Sequence, residues 1–186
     1  MGRLEAIRLE AATGTTRRLL DAVHDTLGMV PTMMRTMATA PAVLASYLQF
    51  SGALAKGRLS AKVREQLALA IGQANHCDYC VAAHSAIGQT IGLTGEQIRD
   101  SRLGTAVDAK TEALLRFARK VVDARGDVTD EDVREVRAAG YADGAIAEVV
   151  AHVALNIFTN YFNLVARTEL DFPKIPALTP EPTPTT

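Results

Sequence analysis

Along most of the chain, apolar residues recur every three or four positions. No stretch alternates apolar and polar with the period of two that a half-buried strand requires. Within 61–74 the apolar set includes Val63, Leu67, Ala70 and Ile71; within 108–126 it is Leu114, Leu115, Phe117, Ala118, Val121 and Val122. Helix-start and helix-stop residues divide the pattern. Thr15 and Thr16 suit the start of a helix over 17–27 that Gly28 ends, and Pro31 opens a short Met-rich turn or helix to Met37. Pro41 fits the first turn of a helix running toward Gly57, because its missing N–H is not needed there. Ser60 is placed to cap 61–74, and Asn75 to cap a segment over 77–91 that stops at Gly92. Thr94 with Gln97 reads as a capping box, Asp108 opens the 108–126 helix, and Thr129 caps 130–139. Asp143 is placed to cap the longest helix, 144–168. The pattern predicts an all-α, compact bundle of seven or eight helices.

Composition bounds this picture without changing it. A length of 186 residues, 48% apolar and 22% charged, suits one globular domain. A net charge of −1 gives no electrostatic case for nucleic acid or an anionic membrane surface. The longest nearly uncharged run, 71–93, is interrupted by Asn75, His76, Asp78 and His84, so it makes a poor membrane span. The first twenty residues interleave Arg and Glu with apolar residues and lack the apolar core of a signal peptide. The cytoplasm is therefore the expected location. Residues 173–186 hold five of the seven prolines and several threonines. They read as an extended or disordered tail after a single helical domain over 1–172.

The chemistry concentrates in one segment. The only two cysteines, Cys77 and Cys80, are three residues apart, and His84 follows four residues later. On a helix these positions share one face. Glu65, twelve residues before Cys77, lies on the preceding helix and can close the group as an orienting carboxylate. A bond between the two cysteines would close so short a loop that its stabilisation is about 2 kcal/mol, a weak structural reason for the pair. Thiolates are the reactive form, and a helix N-terminus or a CxxC setting lowers a thiol's pKa from about 8.5. Cys77 and Cys80 in a first helical turn would have both advantages. A thioredoxin-like reading would need a neighbouring βαβ pattern, and none is present. Two thiolates with His84 and Glu65 also make four zinc ligands in principle, so a non-enzymatic helical oligomer, stabilised by zinc, stays open. So does a thiol-disulfide reductase or redox sensor acting on a protein partner.

Glu65, then Cys77-Asp78-Tyr79-Cys80-Val81-Ala82-Ala83-His84, resembles the signature of the alkylhydroperoxidase D-like, or carboxymuconolactone decarboxylase, superfamily, and within it the peroxidase-related members. The resemblance spans roughly Val30 to Pro173, including Asn156 to Asn160 and Thr168 to Pro173. It implies an all-helical subunit, commonly a trimer or hexamer, with peroxidase activity that needs no cofactor. It also implies Cys80 as the peroxidatic thiol, Cys77 as the resolving thiol, and His84 and Glu65 as a proton relay. The substrate would be hydrogen peroxide or an organic hydroperoxide, and the reductant a dihydrolipoyl or thioredoxin-like dithiol. Retention of both cysteines favours redox chemistry over the decarboxylase branch. Tyr79 departs from the family pattern, in which a relay histidine often stands there; a phenol is a poor base near neutrality. Tyr79 or water then links Glu65 to the thiols, or Glu65 acts on His84 directly, with His76 as a possible substitute base.

The remaining polar and sulfur residues carry weaker signals. Asn156, Asn160 and Asn163 form a stripe on the last helix that needs partners if buried, lining either the pocket or a subunit interface. His152 on the same helix reads as a satisfied core or interface histidine, and His24 beside Asp25 as a surface residue. Met29, Met33, Met34 and Met37 read as packing, or as a pliable wall for an organic hydroperoxide. The charge run from Asp130 to Arg137 reads as a solvated helix face.

Overall fold

A computed structural model describes residues 2–178, so the residues from 179 onward that belong to the expected tail lie outside it. The described residues form nine α-helices and one 3-10 turn, Leu9–Ala11, with no strand. The helices are α1 (Gly14–Leu27), α2 (Thr32–Met37), α3 (Pro41–Leu54), α4 (Ala61–Ala74), α5 (Asp78–Thr90), α6 (Gly95–Leu103), α7 (Ala109–Asp123), α8 (Asp130–Ala138) and α9 (Asp143–Ala166). The all-α class is as the periodicity predicts. The count exceeds seven or eight because the Met-rich segment after Pro31 closes as a full helix.

Several starts form as the sequence predicts. Ser60, Thr94, Asp108 and Thr129 each accept an N–H from the third helical residue, and Thr94 and Thr129 complete capping boxes with Gln97 and Asp132. Three starts differ. Thr13, not Thr15 or Thr16, is the N-cap of α1. Ala142 is the N-cap of α9, and Asp143 pairs with Arg137 instead. Asn75 ends α4 rather than starting α5; Cys77 takes the N-cap of α5, and its Sγ accepts the Cys80 N–H at 3.3 Å. The predicted solvated face on α8 also has an exception. Asp132 is buried because it closes the capping box and pairs with Lys120.

Helix α4 is the axis of the fold. Its run Gln66 to Gly72 is wholly buried, and the helix packs against α5, α6, α7 and α9. On one side Leu67, Ala70 and Ile71 join Leu114, Leu115, Phe117, Val136, Val149 and Val153 in an aliphatic core. Burying each large side chain there contributes about 1.5–3 kcal/mol. A second cluster combines Leu20, Val23, Leu44, Met33, Met34 and Met37 with Cys77, Tyr79 and Cys80. Helix α9 is long and apolar enough to cross a membrane by composition, yet half of that stretch is buried within the bundle.

The connection from α4 to α5 places the chemistry. Only Asn75, His76 and Cys77 separate the two helices, so they form an antiparallel hairpin. His76 adopts φ +54°, a left-handed conformation that reverses the chain in that short span. Glu65 and His84 lie ten and nine residues either side of Asn75, so the hairpin sets them opposite one another.

Candidate active site

The hairpin register brings Glu65 Oε2 to 2.7 Å from His84 Nδ1. A carboxylate only accepts, so His84 donates from Nδ1 and keeps Nε2 as the acceptor. Glu65 therefore acts on His84 directly. Tyr79 takes no part in that pair: its hydroxyl donates to Asp171 Oδ2 at 2.6 Å and accepts from the Met33 N–H at 3.4 Å. Burial first, then the hydrogen bond to Asp171 and its charge, push the phenol well above its ordinary range, so Tyr79 is a fixed neutral donor. Phe172 packs edge-on against its ring, with centroids 6.4 Å apart.

Cys77 and Cys80 are disulfide-bonded, their Cα atoms 5.3 Å apart as one helical turn dictates. Both are buried, at 1% and 3% exposure. Cys80, Glu65 and His84 line one cavity of about 570 Å³ whose apolar wall includes Met29, Met33, Met34, Ile87 and Leu155. Met33, Met34 and Met37 are buried, while Met29 is partly exposed. Cys77 does not line that cavity. It borders a smaller one, about 230 Å³, on the other side of the hairpin, together with His76. The exposed His76 is thus separated from the large cavity and is not placed to substitute in the expected relay.

Helix α9 supplies the far wall, and its stripe divides. Asn163 Nδ2 donates to Cys80 Sγ at 3.4 Å and to Met33 Sδ at 3.1 Å. Asn156 lines the cavity with its Nδ2 on the His152 carbonyl. Asn160 turns away from the cavity and accepts from Asn75 Nδ2 at 2.9 Å, tying α9 to the hairpin turn. His152 lines the cavity at 5% exposure, and its Nε2 has no partner among the described residues, unlike the satisfied histidine the sequence suggested. Burial, and secondarily Arg64, hold its pKa below the ordinary value. His24 sits at the surface near Asp25 as expected. Among the described residues, no three His, Cys, Asp or Glu side chains converge to hold a metal ion.

Two contributors escaped the sequence reading. Asn163 was visible only as the third member of a stripe, with nothing to single it out. Asp171 lies past the last helix, where periodicity is silent; it accepts from the Thr32 N–H at 2.7 Å and Thr32 Oγ1 at 2.6 Å as well as from Tyr79. One carboxylate thus ties the start of α2, Tyr79 between the cysteines and the chain after α9.

The carboxymuconolactone decarboxylase family model matches residues 41–124, a span that contains Glu65, Cys77, Cys80 and His84. No curated protein sequence matches the chain. Among solved structures, an alkylhydroperoxidase AhpD core, an uncharacterised peroxidase-related protein from Ralstonia eutropha JMP134, is similar at 27% identity and TM-score 0.80, covering 91% of this chain and 92% of that one. A peroxidase-related protein from Silicibacter sp. TM1040 is similar at 22% identity and TM-score 0.78, over 91% and 94%. The debrominase Bmp8 shares the fold at 16% identity and TM-score 0.76, over 91% and 92%. The family match over the hairpin and the peroxidase-related neighbour from Ralstonia eutropha over nearly the full length agree with the geometry and support the alkylhydroperoxidase D-like, carboxymuconolactone decarboxylase superfamily for this chain.

Proposed function

We infer that the protein is a thiol peroxidase that reduces hydroperoxides through Cys80 and Cys77. One observation carries the reading: a dithiol pair has its Cys80 member on the same cavity as a hydrogen-bonded Glu65–His84 pair. His84 Nε2 takes the proton of the Cys80 thiol, the thiolate attacks the outer peroxide oxygen, the O–O bond breaks, and the departing alkoxide takes that proton back from His84, leaving Cys80 as a sulfenic acid. The Cys77 sulfur then attacks the Cys80 sulfur, the S–O bond breaks, and the hydroxide leaves as water with the proton of the Cys77 thiol as the disulfide forms. Two electrons and two protons from a dithiol donor restore both thiols. Glu65 holds the imidazole in the tautomer that can receive and return the proton.

The cavity is far larger than hydrogen peroxide requires, and its methionine wall is apolar and adaptable, which supports an organic hydroperoxide as substrate. An oligomer, in the cytoplasm, is part of the same reading. Phe158, Tyr161, Leu164 and Val165 on α9 are partly exposed, and large exposed apolar patches mark association. Sedimentation at micromolar concentration is expected to show a species larger than the monomer.

Stopped-flow oxidation of the reduced protein by cumene hydroperoxide tests the chemistry. Cys80→Ser is expected to abolish peroxide consumption, and Cys77→Ser to permit one turnover and leave a sulfenic acid trapped by dimedone. Full activity in Cys80→Ser would overturn the assignment.

A further inference from the structure

The disulfide separates two cavities, and each sulfur-bearing residue belongs to a different one. Cys80 lines the large cavity with His84, while Cys77 lines the small one with Gly72, His76, Asp78, Arg102 and Lys174. Building on the thiol-redox reading above, we propose that the small cavity is the reductant site, where an anionic thiol attacks Cys77 from the side opposite the peroxide.

Three features support this division. Thiol-disulfide exchange proceeds through a thiolate that approaches one sulfur as the other leaves. Attack on Cys77 makes Cys80 the leaving thiolate, which Asn163 Nδ2 is placed to stabilise at 3.4 Å. Among the described residues the small cavity is also cationic on balance: Arg102, only 7% exposed, and Lys174 face a single acid, Asp78. Two cations favour an incoming thiolate, and they favour one that carries a further carboxylate. The chain after α9 roofs this cavity. Arg102 Nη2 donates to the Pro176 carbonyl at 2.9 Å, and Lys174 pairs with Asp78 at 3.6 Å near the surface. The roof accounts for the 1% exposure of Cys77.

The steps balance. A donor thiolate bonds to Cys77 sulfur as the Cys77–Cys80 bond breaks, and Cys80 leaves as thiolate. A second donor thiolate attacks the donor sulfur of the mixed disulfide and releases Cys77. Two thiols become one disulfide, and their two electrons reduce the protein.

The test uses the full-length disulfide form and no peroxide, so it stands or falls separately from peroxidase activity. Reduction rates with mercaptoacetate and cysteamine, similar in size and opposite in charge, are measured for wild type and Lys174→Glu. The mercaptoacetate-to-cysteamine rate ratio is expected to fall about tenfold in the variant. Taking a ratio within each protein cancels differences in thiol reactivity and any general loosening of the roof. In wild type, quenching at neutral pH with excess N-ethylmaleimide followed by fragmentation is expected to place the mercaptoacetate adduct on Cys77 and the maleimide label on Cys80. An adduct on Cys80, or a rate ratio within twofold of wild type, overturns the proposal.

Discussion

The two sides of α4 are built to different standards. Toward α7, α8 and α9, the helix meets branched aliphatic side chains, with Leu67, Ile71, Leu114, Leu115 and Val149 all at 0% exposure. Toward α2, α3 and α5, it presents Glu65 and Ala68 to a cavity of about 570 Å³ walled by methionines and small residues. Close packing fixes the first side, because each missing methylene there leaves a void. The second side gives up that packing and leaves the cavity open, and thioethers suit its irregular wall. One helix thus anchors the scaffold while it carries the carboxylate that orients His84. Rigidity on one face positions chemistry on the other.

The largest expected effect breaks the chemical side alone. Glu65→Gln removes the carboxylate that receives the His84 Nδ1–H, and the imidazole loses its fixed tautomer. Loss of general acid–base help slows oxidation of the reduced protein by about 10²–10⁴-fold. Thermal stability should change little, because Glu65 sits at the cavity rather than in the aliphatic core. A stopped-flow rate within threefold of wild type would remove Glu65 from the relay.

A contrasting pair of truncations measures the two standards of packing. Leu114→Ala, at the centre of the scaffold, is expected to cost about 2–5 kcal/mol in urea unfolding. Met34→Ala, on the cavity wall at 7% exposure, should cost less, because one side of its side chain already borders empty space. Equal costs would show that the cavity collapses in solution and that the comparison does not hold.

The same contrast explains what the sequence disclosed. The scaffold was legible because aliphatic periodicity, capping boxes and glycine stops encode it locally, and Thr94, Asp108 and Thr129 cap where their spacing says they should. The Glu65–His84 pair was legible because a short antiparallel hairpin converts sequence distance into spatial register. Asp171 and the placement of Cys77 and Cys80 on different cavities were not legible. They depend on where the chain after α9 returns, a tertiary fact with no local signal. Asn75 misled because a polar residue between two helices can end one or begin the other; the left-handed His76 settles that in favour of ending α4.

A smaller effect tests the link between α9 and the reactive sulfur. Asn163→Ala deletes the N–H donated to Cys80 Sγ and leaves the backbone of α9 intact. Hydrogen bonds to a charged acceptor are stronger than neutral ones, so the loss should slow iodoacetamide alkylation of reduced Cys80 at pH 7 about tenfold. Asn163→Gln should recover part of the rate. Unchanged alkylation in the Ala variant would make Asn163 a packing residue only.

The smallest effect separates the two sides by acidity. On the scaffold side, the hydrogen bond from Lys120, then those from Thr129, draw the Asp132 carboxyl down to about 2. A depressed folded pKa gives stability that is complete above the unfolded value, near 3.9, and fades as pH falls toward 2. On the cavity side, burial holds His152 below its ordinary value, near 6.5, and its Nε2 has no partner among the described residues. As pH falls below 6.5, the unfolded chain binds a proton that the folded His152 resists, so stability declines there first. The melting temperature should therefore begin to fall between pH 7 and 5, and His152→Gln should flatten that part of the curve. Asp132→Asn should leave that part alone and alter the profile only below about pH 4. Wild-type and His152→Gln curves that run parallel from pH 7 to 5 would show that His152 titrates freely, and that the cavity side is no more acid-sensitive than the scaffold.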